Sequence, residues 1–180
     1  MIKKIVFIGL AVCFITKIQA QNFRLNDQVI NVGLGLGSYN YSSSYYHLGI
    51  PPITVSFEKG IRDRVFDNGV LAVGGIAGFS TYTYKYASFS SRLTSILVGG
   101  RGILHYPIIE DNKIDTYGGL MMGIRYSTFD SNNSILPTSG ANLGWSFFIG
   151  GRYYFSDELA GMMELGYGMT YLNIGLALKL

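Results

Sequence analysis

The chain has 180 residues, with 14 basic and 11 acidic side chains, two histidines and one cysteine. Lys3, Lys4 and Lys17 carry the whole excess of +3, so 11 bases balance 11 acids beyond residue 20; this gives no case for nucleic acid as a partner. Cys13 falls in the same leader, which leaves the rest without disulfides; 24 Gly and 14 Tyr suit sheets and short turns in a single domain.

Residues 1–20 read as a cleaved signal peptide. Lys3 and Lys4 precede the apolar run Ile5–Ile15, and Ala20 supplies the small residue at the cleavage point. The apolar run is shorter than the roughly 20 residues of a spanning helix. Val12 before Cys13 departs from the small residue that usually precedes a lipidated cysteine. Residues 21–28 form a short periplasmic segment, and 29–180 the main domain.

Period-two alternation then runs to the C-terminus and predicts eight strands. The first is 29–38, with Ile30, Val32, Leu34 and Leu36 on one face and Asn31, Gly33 and Gly35 on the other. The second, 53–59, sets Ile53, Val55 and Phe57 opposite Thr54, Ser56 and Glu58. In 70–79, Leu71, Val73, Ala77 and Phe79 oppose a less polar face of Val70, Ala72, Gly74 and Ile76. In 93–106, Ile96, Val98, Leu104 and Tyr106 oppose Ser95, Gly99, Arg101 and His105. In 114–126, Leu120, Met122, Ile124 and Tyr126 oppose Asp115, Gly119, Gly123 and Arg125. In 142–155, Leu143, Trp145, Phe147, Ile149, Tyr153 and Phe155 oppose Gly144, Ser146, Gly150 and Arg152. In 160–168, Met163, Leu165 and Tyr167 oppose Met162, Glu164 and Gly166. In 172–180, Leu172, Ile174, Leu176, Leu178 and Leu180 oppose Asn173, Gly175, Ala177 and Lys179.

Large apolar residues on one face and small or charged ones on the other suit a closed barrel in lipid with a polar lumen. The expected fold is all-β, an eight-stranded antiparallel up-and-down transmembrane β-barrel. Long Ser-, Tyr- and Asn-rich connections at 39–50, 80–91 and 127–141 alternate with more charged turns at 60–69, 107–113 and 156–159. This asymmetry puts the three long loops outside the cell and the turns in the periplasm. Phe79, Tyr126, Trp145 and Tyr167 fall at the outer rim, and Phe57, Tyr106, Tyr153 and Phe155 at the inner one. Together they form two aromatic belts.

The segments Gly151–Leu159, Glu164–Gly168 and Leu172–Leu176 carry a family likeness. With the leader and the eight strands, they make the chain resemble the small outer-membrane barrels of the OmpX and OmpA-transmembrane-domain type, and the porin-like barrel domains of Bacteroidota. The resemblance implies Sec-dependent export to a Gram-negative outer membrane. It also implies contact with membrane lipid and lipopolysaccharide, and a C-terminal strand read by the barrel-insertion machinery. Barrels of this type usually end in an aromatic residue, where this chain has Leu180.

Glu58, Arg101, Asp115, Arg125, Arg152, Glu164 and Lys179 all take inward parity and are expected to form a polar cluster in the lumen. A six-to-seven turn centred on Glu158 sets Arg152 opposite Glu164; His105 faces Asp115 across the Pro107–Lys113 turn. No catalytic, cofactor or metal site emerges. His47 has only serines and tyrosines near it, Ser44–His47 being an unspecific pair. Gly33–Gly37 lacks the spacing of a nucleotide loop. Three function classes follow: a structural or surface-interaction barrel whose tyrosine-rich loops meet an extracellular ligand, a small ion or solute channel, and a soluble periplasmic lipid-binding barrel with the opposite facing.

Overall fold

The computed structural model describes residues 23–37, 46–86, 89–109, 111–131, 138–168 and 170–180. The leader, Ser44 and the loop residues 39–45, 87–88 and 132–137 lie outside them. Eight strands follow one another: β1 (Gln28–Leu36), β2 (Tyr46–Val65), β3 (Gly69–Tyr86), β4 (Phe89–His105), β5 (Ile114–Ser131), β6 (Thr138–Tyr154), β7 (Leu159–Tyr167) and β8 (Leu172–Lys179). Each pairs antiparallel with its neighbours, and β1 pairs with β8, which closes the barrel.

The ring is staggered. A row of partners begins at Leu36 and runs through Leu172, Leu165, Ile149, Gly118, Leu104 and Leu71. It ends at Arg62, beyond the opposite end of β1, whose pairing starts at Gln28–Lys59. That displacement is the shear that tilts strands in a closed barrel. Alternation fixes the facing, since one slipped residue would turn every apolar side chain inward. Val32, Leu34, Val55, Val98, Ile124, Leu143 and Leu176 are about half exposed or more. Their neighbours Asn31, Thr54, Leu97 and Ala177 are buried. β3 follows suit, with Val70, Ala72 and Ile76 inside and Val73 and Phe79 outside.

The expected long loops are largely strand. β2 to β6 run 17 to 20 residues, against 8 or 9 for β7, β8 and β1, so the barrel wall stands higher on one side. Tyr46–Ile50, Ser80–Tyr86, Phe89–Ser91, Ser127–Ser131 and Thr138–Ala141 all lie in the wall. Hydroxyl side chains hold them there: Ser95 and Ser127 meet across β4 and β5 at 2.9 Å, and Ser91 Oγ donates to the Asp130 carbonyl at 3.0 Å. Pro51 and Pro52 have no amide to give the ladder. They sit where the β2–β3 register slips, between Ile50–Thr81 and Ile53–Phe79.

At the closing seam Gly33 faces Gly175. A β-carbon on Gly175 would overlap the Val32 carbonyl oxygen and come 2.7 Å from the Gly33 Cα. These are backbone atoms that cannot rotate away. Gly175→Ala is therefore expected to cost about 1–3 kcal/mol by overpacking, read as a lower urea midpoint in micelles.

Candidate functional site

The site is the lumen. Glu58 comes from β2, Arg101 and His105 from one face of β4, Asp115 and Tyr117 from β5, Arg152 from β6 and Glu164 from β7. All seven are at least nine-tenths buried. Nearer the end that carries Phe23 and Leu180 they build a ring. Arg152 Nη2 donates to Glu58 Oε1 at 2.5 Å and its Nη1 to Asp115 Oδ2 at 3.0 Å. His105 Nδ1 lies 2.9 Å from Asp115 Oδ1, and its Nε2 lies 3.4 Å from Glu58 Oε1, in ion-pair range but without hydrogen-bond geometry. Arginine and histidine thus each bridge the same two carboxylates, while the Arg152 guanidinium lies 4.6 Å over the Tyr117 ring.

A second cluster lies beside the first. Arg101 Nη2 donates to Glu164 Oε1 at 2.6 Å and Nη1 to Ser56 Oγ at 3.0 Å. Tyr117 donates its hydroxyl to the same Glu164 oxygen at 3.1 Å, and Asn31 donates to Ser56 at 3.1 Å. The Arg101 guanidinium stacks 4.0 Å over Phe148. Asn173 on β8 donates to Thr54 on β2 at 3.2 Å. The cavity against Arg101 and Glu164 measures about 20 Å³, room for about one water.

Of the seven lumen residues read from the sequence, five sit in these clusters. Arg125 is half-buried and reaches the Gly168 carbonyl at 3.5 Å. Lys179 stands at the mouth and pairs with Asp27 at 2.6 Å. The Arg152–Glu164 pair is corrected: the β6–β7 register sets Arg152 opposite Met162 and Gly150 opposite Glu164. Tyr154 pairs with Ala160, so the turn is centred on Asp157 rather than Glu158, which displaces every partner by two residues. The His105–Asp115 pairing is displaced by two residues as well: the β4–β5 register sets His105 opposite Tyr117, and its side chain reaches Asp115 diagonally at 2.9 Å. The lumen is also less polar than expected. Ile76, Leu97, Ile103, Met121, Phe148, Tyr154 and Met162 all point inward and form one apolar cluster with Phe23 and Val29. Parity could have found Phe148, which sits between outward Phe147 and Ile149. No periodic signal could have found Phe23, which precedes the first strand.

The outside is the complement. Among the described residues, the outward positions of 30–36, 53–57, 71–79, 96–104, 120–126, 143–155, 163–167 and 174–178 hold no Asp, Glu, Lys or Arg. Phe57, Phe79, Tyr106, Tyr126, Trp145, Tyr153 and Phe155 are between 38% and 49% exposed there, and Tyr167 is half-buried. Phe79 and Tyr126 share a row through Ile96. Trp145, Phe147 and Tyr167 cluster with centroids 5.7–6.4 Å apart, and Tyr153 meets Phe155 at 5.7 Å. At about 3.3 Å per residue and a tilt near 40°, Leu143 to Phe155 covers roughly 30 Å along the axis. The apolar band of membrane barrels is about 25 Å tall. A soluble lipid carrier needs the opposite arrangement, with apolar residues lining an open cavity.

No family model and no curated protein matches the chain. Among solved structures, a de novo designed transmembrane β-barrel is similar at 17% identity and a TM-score of 0.48, over 89% of this chain and all of that one. The attachment invasion locus protein Ail of Yersinia pestis, solved in complex with the heparin analogue sucrose octasulfate, has 9% identity and a TM-score of 0.46, over 86% of this chain and 94% of that one. The N-terminal β-barrel domain of Pseudomonas aeruginosa OprF has 15% identity and a TM-score of 0.45, over 87% and 98%. The eight-stranded ring described above rests on the strand pairing itself. Among the described residues no group of three His, Cys, Asp or Glu side chains has the geometry of a metal site.

Proposed function

We propose that the protein is an integral outer-membrane barrel of a Gram-negative cell, exported as a precursor cleaved after Ala20, with a structural or surface-interaction role rather than transport or catalysis. The supporting observation is the pairing of an uncharged outward band with a lumen in which Glu58, Arg101, Asp115, Arg152 and Glu164 are buried and bonded to one another. Unpaired charge inside a narrow wall would be too costly to persist; here it is paired and packed against Phe148 and Tyr117. Eight strands leave an interior that side chains just fill, and those residues fill it. In this reading the loop end faces outward. The raised wall of β2 to β6, which holds most of the tyrosine-rich segments, is turned toward an extracellular ligand, and lipid and lipopolysaccharide surround the belts.

The reading is tested by fractionation and conductance together. The protein is expected in the outer-membrane fraction with heat-modifiable migration. Reconstituted in planar bilayers, it should give no resolved conductance steps under conditions where a sixteen-stranded porin does. Steady conductance steps would overturn the filled lumen, and a soluble periplasmic protein would overturn the membrane reading.

A further inference from the structure

We infer that Phe23–Asp27 is a latch that closes the terminal end of the barrel, and that its release opens the ring of Glu58, His105, Asp115 and Arg152 to solvent from that end alone. Phe23 precedes β1, yet it is 4% exposed. Its ring stacks on His105 with centroids 3.8 Å apart and planes 11° from parallel. The chain reaches that position by a tight reversal. Arg24 N donates to Asp27 Oδ2 at 2.7 Å, Asp27 N donates to the Arg24 carbonyl at 3.1 Å, and Asn26 takes a φ of 68°.

Three attachments hold the reversal against the wall. Asn26 N donates to the Gly60 carbonyl and Gly60 N to the Asp27 carbonyl, both at 3.0 Å. The Asp27 carboxylate meets Lys179 on the last strand at 2.6 Å, ion-pairing β8 to the segment that leads into β1. Gly60 makes room for the latch. A β-carbon there would lie 2.5 Å from the Arg24 carbonyl oxygen and 3.1 Å from the Phe23 ring.

The attachments are few, and what lies beneath them accepts water. Glu58 Oε2 is buried with no hydrogen-bond partner in the protein. Lifting Phe23 would give it solvent in exchange for a lost ring stack. Passage stops at the next layer, where Arg101, Glu164 and Phe148 lock the lumen. Release therefore makes a one-ended vestibule, compatible with a barrel that does not conduct.

The test measures thiol reactivity in the full chain refolded into detergent micelles, so it is independent of the membrane reading. Cys13→Ser removes the chain's own cysteine. Val29→Cys, opposite Glu58 in the β1–β2 register, reports the vestibule. Leu97→Cys, buried farther along the lumen, reports the rest. A small methanethiosulfonate reagent should label Val29→Cys slowly. Adding Phe23→Ala should raise that rate at least about tenfold, the worth of a good aromatic stack. Adding Lys179→Met, which leaves the lumen packing alone, should raise it up to about fivefold, the worth of one partly exposed ion pair. The Leu97→Cys rate should not move. An unchanged Val29→Cys rate in both variants would overturn the latch. So would a parallel rise at Leu97→Cys, which would mean that the whole barrel opens. If Phe23→Ala fails to fold, Lys179→Met alone decides.

Discussion

Arg152→Met is expected to lower stability by about 3–5 kcal/mol, the usual consequence of removing one partner from a buried ionic cluster. Arg152 is 1% exposed, bonds to both Glu58 and Asp115, and lies over Tyr117. Its loss leaves two carboxylates with His105 alone between them. The triple change Arg152→Met, Glu58→Gln and Asp115→Asn should cost less than the single one, because no charge is then stranded. Urea unfolding in micelles measures both. A loss below about 1 kcal/mol for Arg152→Met, the range of solvated pairs, would mean that water reaches the ring freely and that the lumen is not filled.

Leu176→Arg tests the other surface. Leu176 is 55% exposed on β8, between Val32 and Gly161 in the register. Near the bilayer midplane a lipid-facing arginine costs about 2–4 kcal/mol. The loss should appear in lipid vesicles and shrink in water, where an exposed arginine is ordinary. Asn173→Ser, inward on the same strand, loses only the bond to Thr54, worth about 0.5–1.5 kcal/mol. A neutral Leu176→Arg in vesicles would mean that this face does not meet hydrocarbon.

The facing of the strands was legible because period two has only two answers and the apolar side chains choose between them. Partners were not. A two-residue error in the turn at Asp157 keeps every side chain on its correct face, so nothing in the pattern exposes it; Arg152 still points inward but meets Met162 on β7. In a lumen this narrow, moreover, ionic partners sit across the bore as well as next door, where Asp115 on β5 lies directly opposite Arg152. Arg152 on β6 finds Glu58 on β2, 94 residues away, which no adjacent-strand argument reaches. The raised wall escapes the pattern for a different reason. Ser80, Thr81, Tyr82 and Thr83 do alternate in burial, but hydroxyl side chains serve either face, and the hydropathy contrast that marks a strand fades.

The pairing of β1 with β8 also bears on the order of assembly. Every other neighbour in the ring is a hairpin whose strands emerge one after the other. Only this seam joins the two ends of the sequence. Until β8 arrives, β1 and β7 each present a bare edge, and in the membrane setting proposed above hydrocarbon would offer their amides and carbonyls nothing. In that setting a partial sheet has no stable residence, and the ring is expected to zip shut in one late event once β8 is present. The slow, non-local part of the folding problem is concentrated in a single row of contacts, with Gly33 and Gly175 at its middle. A side chain on Gly175, which crowds the backbone of the finished barrel, would thus also stand in the way of its closure.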